Sequence, residues 1–511
     1  MKKTITLLAL CLIGTLAFAQ APAIQWQKCL GGTGIEMASA IQNTTDGGYI
    51  IAGSTTESND GDVSGNHGFH DGWVVKLSNA GILQWQKTLG GVFDDNLNAI
   101  QKTSDGGYIV IGTTTSSDIN LSGIDGDGDY FIVKISTSGV VEWQKALGGT
   151  SNEMGLNIVQ TTDGGYILAG QTNSNDGNVS GNHGNGDAWV VKLSNSGNME
   201  WQKCFGGTAN DFASSIQQTS DNGFILAGTT GSNDGNVSGN HGSVDAWVVK
   251  LSSSGNLEWQ KSLGGTFEDH AKSIKQTQNG GYILTGYTVS IDGDVTGSNG
   301  GINAWVVKLS LLGDIQWQKT FGGTSYDYAY SIQLATDGCY IIAGYTQSND
   351  GDVSGYHGVG DVWVVKLSNI GMIQWQKCLG GTSYDSATCI QPTADGGYII
   401  TGETYSTNGN VSGNHGGYDA WVVKLGPELA TSTFNNQVLT LYPNPTKGLL
   451  QLQTPNSMSF SKIIIIDSTG KTVLEQTQNN SQVNVEKLAS GLYIIKAFSG
   501  EEVFVNKFVK E

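Results

Sequence analysis

The triplet Trp-Gln-Lys recurs along most of the chain at a nearly constant interval, and this repeat limits the fold more than any other feature. It begins at seven positions, separated once by 59 and then five times by 58 residues: Trp26, Trp85, Trp143, Trp201, Trp259, Trp317 and Trp375. A period of this length is typical of solenoids and propellers, which repeat one supersecondary unit. The 511-residue chain is therefore expected to form a repeat array.

Each unit divides into four short segments with the composition of β-strands. In the unit from Asn198 to Leu251, NMEWQKCF alternates apolar and polar residues, ASSIQQT does so more weakly, GFILAGT is apolar, and DAWVVKLS is rich in valine and tryptophan. In four units the turn Asp-Gly-Gly, which suits a tight hairpin, separates the second and third segments; it begins at Asp46, Asp105, Asp163 and Asp395. Seven units of four antiparallel strands predict a seven-bladed β-propeller at residues 20–425.

The ends of the array predict how the ring closes. A lone Trp-Gln-Lys strand, Ile24 to Leu30, precedes the first complete unit, and the last unit ends at Ala420 to Leu425 without a fourth strand. The N-terminal strand can supply the missing one, which leaves no exposed sheet edge. An open solenoid would carry atypical capping units, which the sequence lacks. The tryptophans, such as Trp85 and Trp73, are expected to pack between neighbouring sheets.

The charge of the chain excludes two classes of partner. All 26 basic residues are lysine, against 45 Asp and Glu, so the formal net charge is -19. Without arginine the surface lacks the forked donor that binds phosphate and guanine in a bidentate manner. Nucleic acid and anionic membrane surfaces are therefore not expected as partners.

The first 19 residues have the pattern of a signal peptide. Lys2 and Lys3 precede an apolar run from Ile5 to Leu16, and Ala17-Phe18-Ala19 forms a cleavage site before Gln20. A membrane anchor would need roughly 20 apolar residues, and this run is shorter. No later segment is long and apolar enough to be a transmembrane segment. The sequence predicts Sec export to the periplasm and a mature protein that is secreted or held at the outer-membrane surface.

Five cysteines remain after the predicted cleavage, and none is assigned a chemical role: Cys29, Cys204, Cys339, Cys378 and Cys389. Their spacing matches neither a disulfide framework nor a zinc site. An odd number leaves at least one free thiol. Three of them share a repeat position that elsewhere holds a small residue, which indicates packing.

The longest loop of each unit resembles a twelve-residue calcium loop. In repeat 1 it reads DGDVSGNHGFHD and fits D-x-[DN]-x-[ST]-G-x5-D, in which oxygens at positions 1, 3, 5 and 12 converge on the ion. The predicted ligands are Asp60, Asp62, Ser64 and Asp71; Asp118, Asn120, Ser122 and Asp129; Asp176, Asn178, Ser180 and Asp187; Asp234, Asn236, Ser238 and Asp245; Asp350, Asp352, Ser354 and Asp361.

Two other repeats lack one of these acids, since repeat 5 ends on Asn303 and repeat 7 begins on Asn408; those two should bind calcium worst. Calcium is the one cofactor that the sequence indicates. The alternative explanation is that Asp, Asn and Ser side chains cap their own loop backbone. The same loops carry a histidine in five of the repeats. These histidines either form a ring that binds a transition metal or stabilise their own turns.

Blade topology predicts that this loop lies beside the connection between blades. Each connection ends in an acid ten residues after the tryptophan: Glu36, Asp95, Glu153, Asp211, Asp269, Asp327 and Asp385. One face of the propeller should therefore carry most of the acidic, glycine-rich loops. Tyr326, Tyr328, Tyr330 and Tyr384 add aromatic surface there, as on many sugar-binding faces.

A different pattern begins after the repeats. Residues 426–437 have the composition of a linker, and residues 438–511 contain LYPNPTKG, KIIIIDSTGK and LASGLYIIK, which predict a small C-terminal β-sandwich in an all-β chain. These motifs resemble the type A C-terminal sorting domain of the type IX secretion system of Bacteroidota. The resemblance implies translocation across the outer membrane by that machinery, removal of the sorting domain, and release or attachment to surface lipopolysaccharide.

The propeller units resemble the DGGYIIAG and WVVKL repeats that precede such sorting domains, a group without an assigned activity. Two fragments resemble enzymes: KLSNAG before Trp85 is similar to the docking turn of pyrroloquinoline quinone dehydrogenases, and Thr103 to Gly107 is similar to a sialidase Asp-box. Sialidases hold the substrate carboxylate with arginines, which this chain lacks. No asymmetric cofactor pocket is marked in the sequence.

A catalytic site on a repeat scaffold should appear as one or two blades that break the pattern with convergent groups. The deviations here are few and scattered in the sequence: Cys339, Asn279, His70, His270, Asp125 and Asp127. The sequence therefore predicts no catalytic residue. It favours a binding or adhesion module for an extracellular glycan or protein ligand. The alternative is an extracellular carbohydrate-active enzyme, a polysaccharide hydrolase or lyase on a propeller scaffold.

Overall fold

The computed structural model describes residues 20–118, 127–428, 439–453, 460–467, 471–477, 481–499 and 502–511. The predicted signal peptide and most of the predicted linker lie outside these ranges. The described residues form β-strands and turns, and none of them builds a helix of the length and apolarity needed to traverse a bilayer. Two compact units follow each other in the chain, Met1–Glu428 and Leu429–Glu511.

The first unit contains seven four-stranded antiparallel sheets. Strand β1 (Ile24–Leu30) precedes the first complete blade. Blade 1 contains β2 (Ile35–Asn43), β3 (Tyr49–Thr56), β4 (His70–Leu77) and β5 (Leu83–Leu89). Blade 2 contains β6 (Asp95–Lys102), β7 (Tyr108–Thr114), β8 (Asp129–Ile135) and β9 (Val141–Leu147). Blade 3 contains β10 (Glu153–Gln160), β11 (Tyr166–Thr172), β12 (Asp187–Leu193) and β13 (Met199–Phe205).

The remaining blades have the same order of strands. Blade 4 contains β14 (Asp211–Gln218), β15 (Phe224–Thr230), β16 (Asp245–Leu251) and β17 (Leu257–Leu263). Blade 5 contains β18 (Asp269–Gln276), β19 (Tyr282–Thr288), β20 (Asn303–Leu309) and β21 (Ile315–Phe321). Blade 6 contains β22 (Asp327–Leu334), β23 (Tyr340–Thr346), β24 (Asp361–Leu367) and β25 (Ile373–Leu379). Blade 7 contains β26 (Asp385–Pro392), β27 (Tyr398–Thr404) and β28 (Asp419–Leu425).

The N-terminal strand completes blade 7. Strand β1 pairs antiparallel with β28, and Cys29 lies opposite Trp421. The indole nitrogen of Trp421 donates a hydrogen bond to Gln27 Oε1 at 2.8 Å. The first strands of the blades contact one another in a closed ring, in which β2 lies next to both β6 and β26. The predicted all-β fold with seven blades is confirmed.

The core of the propeller lies between the blades. Along β12, Trp189, Val191 and Leu193 pack in the cluster shared with blade 2, whereas Ala188 and Val190 pack in the cluster shared with blade 4. Alternate side chains of a strand point to opposite faces, and both faces are covered here. This explains why the third strand of every blade is buried along nearly its whole length and is apolar at its centre.

One face of the propeller, called the loop face below, carries both the connections between blades and the loops between second and third strands. In blade 4, Thr208 of the connection donates its backbone N–H to Asp234 of the loop at 2.8 Å. The equivalent bonds run from Thr150 to Asp176 and from Thr324 to Asp350, both at 2.8 Å.

The second unit is a small β-sandwich of two sheets, with orders β29-β30-β33 and β32-β31-β34-β35. Its strands are β29 (Thr440–Tyr442), β30 (Leu449–Gln453), β31 (Lys462–Ile466), β32 (Thr472–Gln476), β33 (Gln482–Asn484), β34 (Gly491–Ser499) and β35 (Glu502–Lys510). Ile463 and Ile465 are fully buried while their neighbours on β31 are not, because only one face of this sheet packs on the core.

Candidate functional site

The innermost strand of every blade contains a β-bulge at the same position. In blade 5 the register between β18 and β19 shifts between Ala271 and Ser273, so Lys272 is the extra residue. The seven extra residues form what we call the bulge ring: Ser39, Asn98, Leu156, Ser214, Lys272, Tyr330 and Thr388. A bulge re-aims a side chain that a regular strand would direct elsewhere.

A glycine on the second strand makes room for each bulge. A Cβ atom on Gly286 would lie 1.8 Å from the carbonyl oxygen of His270, which no side chain can tolerate. The same close approach occurs at Gly228, where the distance to the carbonyl oxygen of Phe212 is 1.8 Å. The last glycine of the GGYIIAG motif is therefore required by the bulge, because the backbone of the innermost strand approaches it so closely.

The bulge ring lines the central channel. A cavity of about 590 Å³ occupies the half of the channel toward the loop face, and one of about 440 Å³ occupies the other half. All members of the bulge ring except Ser39 line both cavities. The wider cavity is called the channel mouth below, and its wall also includes Phe212, Tyr384 and Glu403.

Residues of the channel mouth differ from blade to blade, although the blades are otherwise close copies. The bulge ring alone contains serine, asparagine, leucine, lysine, tyrosine and threonine. The residue type also varies at the position two residues before the bulge residue and at the position paired with it on the second strand. Examples are His270, which lies opposite Tyr287, and Ser386, which lies opposite Glu403. Within the innermost strands, the residue type thus changes most at the positions that line the channel.

Aromatic rings from blades 5, 6 and 7 form a continuous arc at the channel mouth. Successive ring centroids lie 4.5 to 6.0 Å apart. The members of this aromatic arc are His270, Tyr287, Tyr328, Tyr330, Tyr345, Tyr384, Tyr418 and Tyr405. Three of the four tyrosines singled out from the sequence belong to it. Tyr326 does not, and it is half-exposed.

Lys272 places a cation inside the arc. Its Nζ lies 5.9 Å from the ring centroid of Phe212 and 5.6 Å from that of Tyr287. Among the described residues it has no hydrogen-bond acceptor and no carboxylate within ion-pair distance, and burial lowers the pKa of its ammonium group. Lys275, three residues further along β18, lines the cavity of about 440 Å³ in the other half of the channel. Burial lowers the pKa of its ammonium group as well.

Two further titratable groups belong to this region: Glu403 lines the same cavity as Lys272, and His270 interacts with Lys272 electrostatically. Burial raises the pKa of Glu403, and a hydrogen bond from Tyr384 opposes this effect only in part. Burial lowers the pKa of His270 to about 4, the charge of Lys272 adds to this effect, and Glu268 opposes it. The channel mouth thus contains the amino group of Lys272, the carboxyl group of Glu403 and the phenol groups of Tyr330 and Tyr384. The imidazole of His270, beside Lys272, is neutral at neutral pH.

The predicted calcium-loop oxygens accept hydrogen bonds from separate donors. In blade 4, both carboxylate oxygens of Asp234 accept from Thr208, at 2.8 and 2.9 Å. Asn236 Oδ1 accepts from a backbone N–H at 3.4 Å, and Ser238 Oγ accepts from Gln260 Nε2 at 2.8 Å. Asp245 is fully buried and pairs with His241. The four side chains therefore contact four different neighbours.

The other loops repeat this arrangement. The residues at the first loop position accept a hydrogen bond from the blade connection: Asp60, Asp118, Asp176, Asp350 and also Asn408. At the third position, Asn178 and Asp352 accept a hydrogen bond from the backbone N–H of a glycine. At the fifth position, the serines accept a hydrogen bond from a glutamine side chain: Ser64, Ser180 and Ser354. Asp62 donates its backbone N–H to the same connection. The last-position acids Asp71, Asp129, Asp187 and Asp361 are buried, as is Asn303 of blade 5. Asn120 and Ser122 lie outside the described residues.

No three His, Cys, Asp or Glu side chains within the described ranges are arranged to hold a metal ion. The hydrogen bonds account for the loop motif without an ion, and calcium binding stays a prediction from the motif. The loop histidines lie apart on separate blades, where each bonds the aspartate four residues later through Nδ1, at 2.5 to 2.8 Å: His67, His183, His241, His357 and His415.

The acids of the blade connections are buried, so they do not form an exposed acidic face. All seven are fully inaccessible to solvent. Asp211 Oδ2 accepts hydrogen bonds from the backbone N–H of Gly207 at 2.8 Å and from Ser232 Oγ at 2.7 Å. These acids therefore hold the connection against the next blade, and the polar groups available to a ligand are those of the channel mouth.

The second unit identifies how the protein is sorted. Residues 440–511 match the family described as secretion system C-terminal sorting domain. The chain is thus a β-propeller protein with a C-terminal sorting domain. It is a substrate of the type IX secretion system, which delivers it to the cell surface or the extracellular space.

The propeller has more distant similarities. A segment of 226 residues is 23% identical to the regulatory protein FlaEY of Caulobacter vibrioides, and it spans 40% of this chain but only 23% of that protein. Among solved structures, PorZ, a surface component of the type IX secretion system of Porphyromonas gingivalis, is 11% identical with a TM-score of 0.29, over 91% of this chain and 69% of PorZ.

An apocarotenoid oxygenase variant of Synechocystis is 12% identical with a TM-score of 0.38, over 80% of this chain and 95% of that one. These scores are too low to carry an argument about function. The channel residues must be interpreted from their own chemistry.

Sequence reasoning missed most of the channel mouth. Lys272, Glu403, Tyr287 and Tyr345 were not singled out, and His270 was noted only as an isolated deviation. The signal that could have found them is the comparison of repeats at each position of the innermost strand, since only channel-facing positions change their residue type in almost every blade.

Proposed function

We propose that the propeller is an extracellular binding module that holds a glycan at the channel mouth. The observation that carries this proposal is the aromatic arc, which covers one side of the mouth with tyrosine rings. Tyrosine offers a flat apolar face and a polar hydroxyl group. Sugar rings need both, because their C–H faces pack on aromatic rings while their hydroxyl groups require hydrogen-bond partners.

The size and the composition of the channel mouth support a small polar ligand. Its volume of about 590 Å³ lies within the range typical of ligand pockets. Gln171, Ser386 and Glu403 line it opposite or beside the arc, and they supply amide, hydroxyl and carboxyl groups for orientation. A terminal sugar or a short segment of a chain fits this space.

The destination of the protein agrees with this role. The sorting domain directs export to the cell surface or beyond, where polysaccharides and glycoproteins are abundant. The site occurs once per propeller, because the arc belongs to blades 5 to 7 and blades 1 to 4 carry other residues at the equivalent positions. Binding is therefore expected to be monovalent for each chain.

A glycan array probed with the secreted protein tests the proposal. Substituting Tyr328→Ala or Tyr384→Ala should weaken binding of the recognised glycan by roughly 10-fold, in line with the ~1.4 kcal/mol that a stacked ring contributes. Tyr326→Ala is the matched control, since this tyrosine is half-exposed and lies outside the arc. Equal binding by all four proteins, or capture of proteins but no glycan, would refute the glycan proposal.

A second candidate function, a polysaccharide lyase, is favoured by one specific observation. His270, whose burial lowers its pKa to about 4 so that the imidazole is neutral at neutral pH, lies two residues before Lys272 of the channel mouth, and Glu403 lines that mouth. β-Elimination of a glycosidic bond requires a general base and a general acid, and these side chains are the candidates. Release of unsaturated oligosaccharides by the wild type, but not by His270→Gln, would support this candidate in place of simple binding.

A further inference from the structure

The charges that line the channel are opposite to the charge of the whole protein. The chain has a net charge of -19, yet Lys272 and Lys275 both lie in the channel, where the only acid of the cavity walls is Glu403. Neither lysine has a hydrogen-bond acceptor or an ion-pair partner among the described residues. Half-buried charges are normally paired, because removing them from water is unfavourable. Two unpaired lysines on one strand therefore indicate a site for an anion.

The other lysines of the propeller show the contrast. The buried lysine of the third strand is paired in blade 3, where Lys192 Nζ lies 3.0 Å from Asp163 and 3.1 Å from Glu200. The same arrangement recurs at Lys250 in blade 4. Six of the seven third-strand lysines have a carboxylate partner among the described residues, and the seventh, Lys308, donates hydrogen bonds to Thr277 Oγ1 and to the carbonyl oxygen of Leu309. Lys272 has neither kind of partner in the described part of the chain.

The position of Lys272 suits contact with a ligand. The bulge directs its side chain to the boundary between the two cavities, and every other member of the bulge ring is uncharged. The rings of Phe212 and Tyr287 hold the ammonium group by cation–π contact, which stabilises the cation without neutralising it. The charge remains available to a group that enters through the channel mouth.

From this geometry we infer that the channel recognises an anionic group on the glycan, a carboxylate or a sulfate, which pairs with Lys272 while the sugar ring packs on the aromatic arc. This inference rests on the proposed glycan site and specifies its substrate class, an acidic polysaccharide. Lys275 attracts the same charge from deeper in the channel. Glu403, on the other side of Tyr330, faces the hydroxyl groups of the sugar.

Calorimetry of the full secreted chain with four probes tests this inference. The probes are an oligogalacturonate, its methyl ester, a sulfated galactan oligosaccharide and its desulfated form. At least one acidic probe should bind 10-fold or more tightly than its neutral counterpart, and the arm that responds identifies the carboxylate or the sulfate. Lys272→Met should abolish the preference, Lys272→Arg should retain it, and Lys203→Met on the outer strand of blade 3 should leave it unchanged.

The outcomes separate the two proposals. Equal affinity for acidic and neutral probes would overturn the anion inference and leave the glycan site in place. Absence of binding to any glycan would refute the proposed function, and inorganic sulfate then tests the lysine alone. Sulfate should raise the melting temperature of the wild type more than that of Lys272→Met, and equal rises would overturn the inference.

Discussion

Asp187 and Asp211 lie on either side of Gly206 where blades 3 and 4 meet. A Cβ atom on Gly206 would be 2.6 Å from Asp187 Oδ1 and 2.6 Å from Asp211 Oδ2. Both carboxyl groups are fully buried. Asp187 Oδ2 pairs with His183, while its Oδ1 has no hydrogen-bond partner among the residues that the structure describes. Burial raises the pKa of Asp187, and the nearby charge of Asp211 adds to this effect.

This pair predicts that stability decreases from mildly acidic to alkaline pH. A carboxyl group whose folded-state pKa is raised stabilises the fold fully below its unfolded pKa of about 4, and the contribution is lost as pH rises through the folded-state value. The same direction holds at other blade junctions, for Asp71, Asp245, Asp361 and Asp419. The melting temperature should therefore fall as the pH rises above about 4, and thermal denaturation at pH 5 and at pH 8 measures this decrease.

A double variant provides the control, because blade 5 already carries the neutral version of this pair. Asn299 and Asn303 stand there in place of the histidine and the aspartate. The free energy of unfolding of the double variant His183→Asn and Asp187→Asn, measured relative to that of the wild type, should be higher at pH 8 than at pH 5. If denaturation gives the same stability difference at both pH values, the carboxyl pair is not the source of the pH dependence.

Asn279→Asp should stabilise the protein. Within the described part of the chain, the buried ammonium group of Lys308 donates hydrogen bonds only to Thr277 Oγ1 and to the carbonyl oxygen of Leu309, and burial lowers its pKa. Blade 3 has Asp163 in place of Asn279, and it pairs with Lys192. Supplying the missing carboxylate should add ~1 kcal/mol, which is measurable as a higher denaturation midpoint.

The reverse change is the matched test. Asp163→Asn should destabilise by a similar or smaller amount, since Glu200 remains beside Lys192. Side-chain and backbone hydrogen bonds and the charge of Lys192 lower the pKa of Asp163 to about 2, although burial opposes them. This contribution is present above pH 4 and lost as pH falls toward 2. The gain from Asn279→Asp should vanish over the same interval, and a gain that persists at pH 2 would contradict the ion-pair explanation.

Gly286→Ala tests the bulge. The added methyl group would collide with the carbonyl oxygen of His270 and displace Lys272, so ligand binding should weaken by 10-fold or more. Gly53→Ala meets the carbonyl oxygen of Met37 at the same distance but displaces Ser39, which does not line the channel mouth. Both variants should lose about 2 kcal/mol of stability. Only Gly286→Ala should strongly reduce binding; equal binding losses would show that the effect is a general one on folding.

Calcium binding by the loops has its own measurable consequence. An ion in the loop of blade 4 requires Asp234 to release Thr208 and Asp245 to turn from His241. If the motif prediction holds, millimolar calcium raises the melting temperature, because a ligand of the native state stabilises it. The rise should be smaller in Asp234→Ala. A melting temperature that calcium leaves unchanged argues against the motif.

The repeat made the scaffold predictable. Val190 and Val191 read as part of an apolar strand in every unit, and a strand buried on both faces needs neighbours on both sides. The lone strand at Ile24–Leu30 and the incomplete last unit then lead to closure of a ring. These inferences depend on local pattern and on the count of strands, which the sequence contains.

The channel mouth could not be predicted in the same way. Lys272 faces the channel because it is the extra residue of a bulge. Side chains along a regular strand alternate between its two faces, so an unrecognised extra residue makes this rule assign the following side chains to the wrong face. Tyr287 and Tyr384 are far apart in sequence, and only the curvature of the ring brings them into one arc. Asp245 matched a ligand motif but became buried, because tertiary packing places the start of β16 under the next blade.

Closure by β1 also determines when the protein can finish folding. The bond between Gln27 and Trp421 joins residues 394 positions apart, so the ring cannot close during synthesis until blade 7 has emerged. The sorting domain follows only a few residues later. A chain that ends before β28 therefore lacks both the partner of its first strand and the sorting domain, so one truncation removes ring closure and sorting together.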